Sequence, residues 1–217
     1  MKCFKVLLTG PKHSGKTMCA RALGKITGWD VVDLDDLIEK QTGKTPRTLY
    51  EENPEIFRKA EVIALASLAK SQVTENVQQT KGLIIAAGGG LIDNDEALLL
   101  VTELKASEET EVSSWNHDKL ITVFLDVSPE TAWQRITSSG GELPYFLNTE
   151  NPREAHFALH NRRSESYGAL AHISVSADDK SSEDLAGEIV NRLEQFIYGK
   201  QDENPGLWSR YQDPDGV

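Results

Sequence analysis

Gly10-Pro11-Lys12-His13-Ser14-Gly15-Lys16-Thr17 matches G-x-x-x-x-G-K-[ST], and its flanks decide what the match means. Upstream, Lys5 to Thr9 is a short apolar run that ends at glycine; downstream, Lys16 to Ile26 has helical character. Strand, glycine-bearing loop and helix in that order open an α/β unit. The glycines let the backbone curl so that its N–H groups point inward at a phosphate, helped by the positive end of the following helix. Lys16 then reaches the β- and γ-phosphates of ATP, and the Thr17 hydroxyl ligates Mg²⁺. At average composition the pattern arises by chance in about one chain per hundred of this length. Its setting therefore argues more strongly than the pattern against a plain glycine turn.

Working outward, apolar runs of the buried-strand type recur at Val31–Val32, Leu83–Ala87, Leu120–Leu125 and Ala171–Val175. Helical periodicity separates them at Glu55 to Val77, Asp93 to Leu104, Pro129 to Thr137, Pro152 to Tyr167 and Ser182 to Ile197. Ser128 before Pro129 is a capping residue ahead of proline at the first helical position. Five strands alternating with helices predict a three-layer α/β/α fold around a five-stranded parallel sheet. One domain over 1–198 is expected. Residues 103–118, ELKASEETEVSSWNHD, are polar and acidic and read as a surface insertion. Residues 199–217 are rich in Asp, Pro and Gly and read as a poorly ordered acidic tail, in which Trp208 and Tyr211 offer apolar surface for docking.

Composition narrows the function classes. The 217 residues carry a formal net charge of −11, which argues against a nucleic-acid partner, since that needs clustered Lys and Arg. No run approaches the roughly 20 apolar residues of a membrane span, and the start lacks a secretory leader. Cys3 and Cys19 are too few for a disulfide framework, so they read as small core residues of a cytoplasmic protein. A monomer is expected.

The second half of the site must name the acceptor. Val31-Val32-Asp33-Leu34-Asp35-Asp36 places Asp33 and Asp35 at the carboxyl end of a strand, where open α/β sheets bind ligands. One carboxylate can hold Mg²⁺ through water while the other accepts a hydrogen bond from a hydroxyl; an acidic helix N-terminus is an equal reading. Arg58, in Phe57-Arg58-Lys59-Ala60-Glu61, suits a carboxylate through its two-pronged guanidinium, or forms a surface salt bridge. Gly88-Gly89-Gly90 ends a buried strand and lets backbone amides approach a small ligand, or simply turns into a helix.

Together the loop, D-x-D, F-R-x-x-E, the three glycines, LDVSPETAWQRI from Leu125 to Ile136, and R-x-x-x-Y at Arg163 to Tyr167 resemble the shikimate kinase family over roughly residues 4 to 197. The resemblance implies a P-loop kinase fold related to the nucleoside monophosphate kinases, with a lid over about 138–157. It implies ATP-dependent phosphorylation of a small hydroxylated carboxylate, shikimate first. By that similarity Gly10, Lys12, His13, Ser14, Gly15, Lys16 and Thr17 hold the phosphates, Arg135 lies against the adenine, and Asp33 is associated with Mg²⁺. Asp35, Arg58, Gly88, Gly89, Gly90 and Arg163 hold the acceptor, both arginines on its carboxylate. Lys16, Asp35 and Asp33 are the expected catalytic residues.

Two departures stand out. His13 occupies a loop position that is usually glycine in the family. In Glu142-Leu143-Pro144-Tyr145-Phe146 a leucine stands where the family's lid carries an arginine. Positive charge on a transferring phosphoryl group is worth about 10³ or more in rate. Arg153 is the remaining arginine of the lid region, with a surface role as its ordinary reading. Kinases of gluconate or nucleoside monophosphates, and a nucleotide-binding homologue of impaired catalysis, remain the alternatives. His156 and His160 are spaced like a zinc pair but lack a third ligand, so they read as exposed or capping residues.

Overall fold

The computed structural model describes residues 4–70, 82–109, 119–138, 140, 143–144 and 147–198. In chain order the elements are β1 (Phe4–Thr9), α1 (Lys16–Thr27), β2 (Asp30–Asp33), α2 (Leu34–Thr42), α3 (Pro46–Glu52), α4 (Pro54–Lys70), β3 (Gly82–Ala86), α5 (Asp95–Glu109), β4 (Lys119–Asp126), α6 (Pro129–Ser138), α7 (Pro152–Leu170), β5 (Ile173–Ser176) and α8 (Ser182–Tyr198). A single 3₁₀ turn, Leu91–Asp93, precedes α5.

All five strands are parallel, in the order β2-β3-β1-β4-β5. Strand β1 lies at the centre and every residue of it is buried, which is why its sequence is a continuous apolar run and not an alternating one. Alternate side chains point to opposite faces. Val6 and Leu8 pack with Cys19 and Leu23 of α1 and Ile189 and Leu193 of α8. Leu7 packs with Ile38 of α2, Leu65 of α4 and Tyr167 of α7. The expected three layers are present. Strand order reverses at β1, which pairs with β3 on one side and β4 on the other. The loops after β1 and β3 therefore open on one crevice, the place where such sheets bind ligands.

Three expectations need correction. Helix α5 runs to Glu109, so residues 103–109 are helical, beyond the expected helix end at Leu104. Leu98, Val101 and Leu104 continue the apolar spacing into that stretch, and Leu104 packs against the core. Two short helices were not anticipated. Asp33 caps α2 by accepting from the Asp35 amide, and Thr45 with Pro46 at the first position starts α3. Finally, His156 and His160 are 5% and 3% exposed, not surface residues. Their Nε2 atoms bond the Pro129 and Val127 carbonyls, so α7 packs against the connection between β4 and α6 through them. Residues 110–118, the tail 199–217 and Cys3 lie outside the described residues, as does part of the expected lid.

Candidate active site

The β1–α1 loop is shaped by sterics. Gly10 has φ +141°, and a Cβ there would stand 2.7 Å from the Leu125 carbonyl oxygen, so no side chain is tolerated. His13 adopts φ 63° without being glycine, a left-handed conformation that costs about 1–2 kcal/mol. Lys16 is buried, and its Nζ donates to the carbonyls of Gly10 and Pro11 at 2.9 and 2.8 Å and to Ser14 Oγ at 3.3 Å. Burial pushes the Lys16 pKa down to about 8 against the opposing pull of Asp35 and Asp33. Thr17 Oγ1 donates to Asp33 Oδ2 at 2.7 Å, so the first turn of α1 is tied to the end of β2. Arg135 on α6 donates to the His13 and Ala177 carbonyls at 3.1 and 3.0 Å, bracing the loop from the other side.

Next to this loop lies a cleft of about 270 Å³, lined among others by Lys12, Asp35, Arg58, Glu61, Gly88, Gly89, Gly90 and Arg163. The structure thus gathers the expected acceptor residues, drawn from four segments of the chain, into one cavity. Asp35 sits in the first turn of α2, where burial and then the neighbouring Asp33 raise its pKa while Lys16 and Lys12 lower it, leaving it above the usual carboxylate range. Gly88 passes between two carboxylates: a Cβ there would lie 3.1 Å from Asp35 Oδ1 and 3.3 Å from Glu61 Oε1. At Gly89 a Cβ would stand 2.7 Å from the Lys12 amide nitrogen, so the β3 turn and the β1 loop touch through a glycine.

The two arginines differ in setting. Arg163 on α7 donates through Nε and Nη2 to Asp93 Oδ2 at 2.9 and 2.6 Å and is 13% exposed in its side chain. Arg58 on α4 pairs with Glu55 at 2.9 Å, with 40% of its side chain exposed. Behind them is a polar network that sequence reasoning missed. Asn94 Nδ2 donates to Glu61 Oε2 at 2.8 Å and to the Arg58 carbonyl at 3.0 Å. Glu61 is 1% exposed, and burial pushes its pKa up to about 7, with the Asn94 bond opposing. Its Oε1 has no hydrogen-bond partner among the described residues. Arg47 and Tyr50 also line the cleft, and only the cap signal Thr45-Pro46 could have placed them there. The lid region contributes Pro144 to the cleft, while Leu143 is 37% exposed. Arg153 lies 5.3 Å over the Phe157 ring and does not line the cleft.

This arrangement has known relatives. A sequence model of the shikimate kinase family matches residues 12–194. The chain belongs to the shikimate kinase family. As a family member it is an ATP:shikimate phosphotransferase with the P-loop kinase fold expected from its sequence. The shikimate kinase of Symbiobacterium thermophilum is 30% identical over 195 residues, covering 88% of this chain and 97% of that protein. That of Vibrio campbellii is 29% identical over 195 residues, covering 88% and 96%. The structure is similar to that of the Acinetobacter baumannii shikimate kinase in complex with shikimate, with a TM-score of 0.69, 26% identity and coverage of 92% of this chain and 95% of the other.

Proposed function

We propose that the cleft binds shikimate beside ATP held on the β1–α1 loop, and that the reaction is direct transfer of the γ-phosphoryl group to a shikimate hydroxyl. Gly10, Lys12, His13, Ser14, Gly15, Lys16 and Thr17 surround the phosphates, and Arg135 lies against the adenine. Arg58 and Arg163 hold the acceptor carboxylate, because a guanidinium binds two oxygens at once. The amides of Gly88, Gly89 and Gly90 approach the ring. The observation that carries the reading is that Asp35, both arginines and the three glycines line one cavity bordering the phosphate loop.

Asp35 orients the hydroxyl. The hydroxyl oxygen forms a bond to the γ-phosphorus as the bond from that phosphorus to the β–γ bridging oxygen breaks, ADP leaves with the electron pair, and the hydroxyl proton passes to Asp35. A carboxylate whose pKa is raised by burial is a better proton acceptor than an exposed one. Lys16 stabilises the charge that develops on the phosphates.

Thr17 and Asp33 present a hydroxyl and a carboxylate 2.7 Å apart. These are hard oxygen donors of the kind Mg²⁺ takes while keeping waters and phosphate oxygens in its shell. Thr17 and Asp33 would hold Mg²⁺, which would supply positive charge to the nucleotide phosphates.

A monomer working in the cytoplasm, with 1–198 as its catalytic domain, is the proposed setting; no described helix is long and apolar enough to cross a membrane. Asp35→Ala tests the assignment. Turnover with shikimate is expected to fall by about 10²–10⁴ with ATP binding intact, and unchanged turnover would remove Asp35 from the mechanism. Leu143 favours a second reading, a nucleotide-binding homologue of weak catalysis, for which ATP binding without shikimate-dependent ADP release is the signature.

A further inference from the structure

We infer that Lys12 supplies, from the phosphate loop itself, the positive charge on the transferring phosphoryl group that Leu143 in the lid region does not. The inference rests on the phosphotransfer reading above and concerns one residue of its site. Phosphoryl transfer spreads negative charge over three equatorial oxygens, and an enzyme that excludes water there needs a cation facing them besides the one on the nucleotide loop.

The cations around the crevice can be compared one by one. Arg163 is held on Asp93, Arg135 on two backbone carbonyls, Arg47 on Glu51 and Arg58 on Glu55, while Arg153 is stacked over Phe157 outside the cleft. Lys16 is the loop's own buried lysine. Lys12 makes no hydrogen bond or ion pair with any described residue and lines the acceptor cleft together with Asp35. Its backbone is fixed there, since Gly89 meets the Lys12 amide so closely that a Cβ would come within 2.7 Å of it.

Lys12 therefore stands where the β1 and β3 loops touch, between the nucleotide side of the crevice and the acceptor side. Electrostatics agree with that position. Lys12 is exposed overall, but partial loss of water around it lowers its pKa while Asp35 pulls it back up, and the same Asp35 is the strongest charge acting on Lys16. The one carboxylate of Asp35 thus acts on both lysines of the loop. A flexible ammonium with three donors can follow the phosphoryl group as it moves.

The test is steady-state kinetics on Lys12→Met, Lys12→Arg, and Lys12→Met combined with Leu143→Arg, each with nucleotide affinity and Tm measured alongside. Lys12→Met is expected to lower kcat by about 100-fold or more, with KM for shikimate, ATP affinity and Tm little changed. Lys12→Arg, which keeps the charge, should stay within about tenfold of wild type, and Leu143→Arg should recover at least about tenfold in the Lys12→Met background. Lys12→Met with wild-type kcat overturns the assignment and leaves the proposed reaction standing. A fall in kcat matched by an equal loss of ATP affinity also overturns it, because Lys12 would then serve nucleotide binding alone. Wild-type protein without shikimate-dependent turnover overturns the reaction first and this role with it.

Discussion

The nucleotide side and the acceptor side of the crevice are built on opposite plans. On the nucleotide side the polar groups are bonded to their own surroundings: Lys16 to two carbonyls and Ser14, Thr17 to Asp33, Arg135 to the His13 carbonyl. That half is assembled mainly from one contiguous loop. On the acceptor side the charges come from distant segments and are incompletely matched. Arg163 reaches Asp93 seventy residues away, Glu61 has a buried oxygen without a partner among the described residues, and Lys12 makes no hydrogen bond or ion pair with a described residue. The difference teaches which half discriminates. A self-contained loop binds what all nucleotides share, while charges gathered from distant segments recognise a particular acceptor.

The largest expected effect breaks the nucleotide side. Lys16→Met should cost about 10³-fold or more in kcat/KM, with Tm unchanged or raised because a buried ammonium is removed. A comparable loss of Tm would mean that Lys16 holds the loop together and does not serve the phosphates. Next come the two arginines. Arg163→Ala should raise KM for shikimate by about 100-fold and lower stability by roughly 1–3 kcal/mol, since the half-buried Asp93 loses its strongest partner. Arg58→Ala should raise KM by about tenfold with little change in stability, because its pair with Glu55 is exposed. Equal effects on stability would dissolve the contrast between them.

A third expectation concerns pH. The Glu61 pKa rises from 4.5 to about 7 in the folded protein, so the folded state keeps a proton that the unfolded chain releases. The stability this contributes is complete below about pH 4.5 and is lost as pH rises through 7, a change on the order of 3 kcal/mol. Glu61→Gln keeps an oxygen for Asn94 and should flatten that slope between pH 5 and 8 in thermal denaturation; an unaltered slope would place the titration elsewhere. The smallest effect is at His13, where glycine relieves the left-handed backbone. His13→Gly should stabilise the protein by about 1 kcal/mol, and a loss of stability would mean that the side chain repays its strain through contacts.

The same contrast explains what the sequence could disclose. The phosphate loop is legible because its eight residues are contiguous and its chemistry lies in the backbone. Asp33 and Asp35 could be placed at a strand end, yet their double duty, with Asp33 capping the helix that begins with Leu34 and carries Asp35, emerges only when the helix is seen. Arg58, Arg163 and the three glycines were assembled by resemblance, since no local rule brings α4, α7 and the end of β3 together. Asn94 and the raised pKa of Glu61 had no local signal, because both depend on burial by elements far along the chain. His156 and His160 were misjudged for the same reason: a polar residue looks exposed until the carbonyls it bonds are known.

Mg-ATP-dependent ADP release with shikimate, gluconate and nucleoside monophosphates as separate acceptors, and the phosphorylated product identified by mass spectrometry, tests the central claim most directly. Release is expected to depend on shikimate and to yield a singly phosphorylated shikimate, with the other acceptors near background. ATP binding without shikimate-dependent release, or preference for gluconate or a nucleotide, would contradict it.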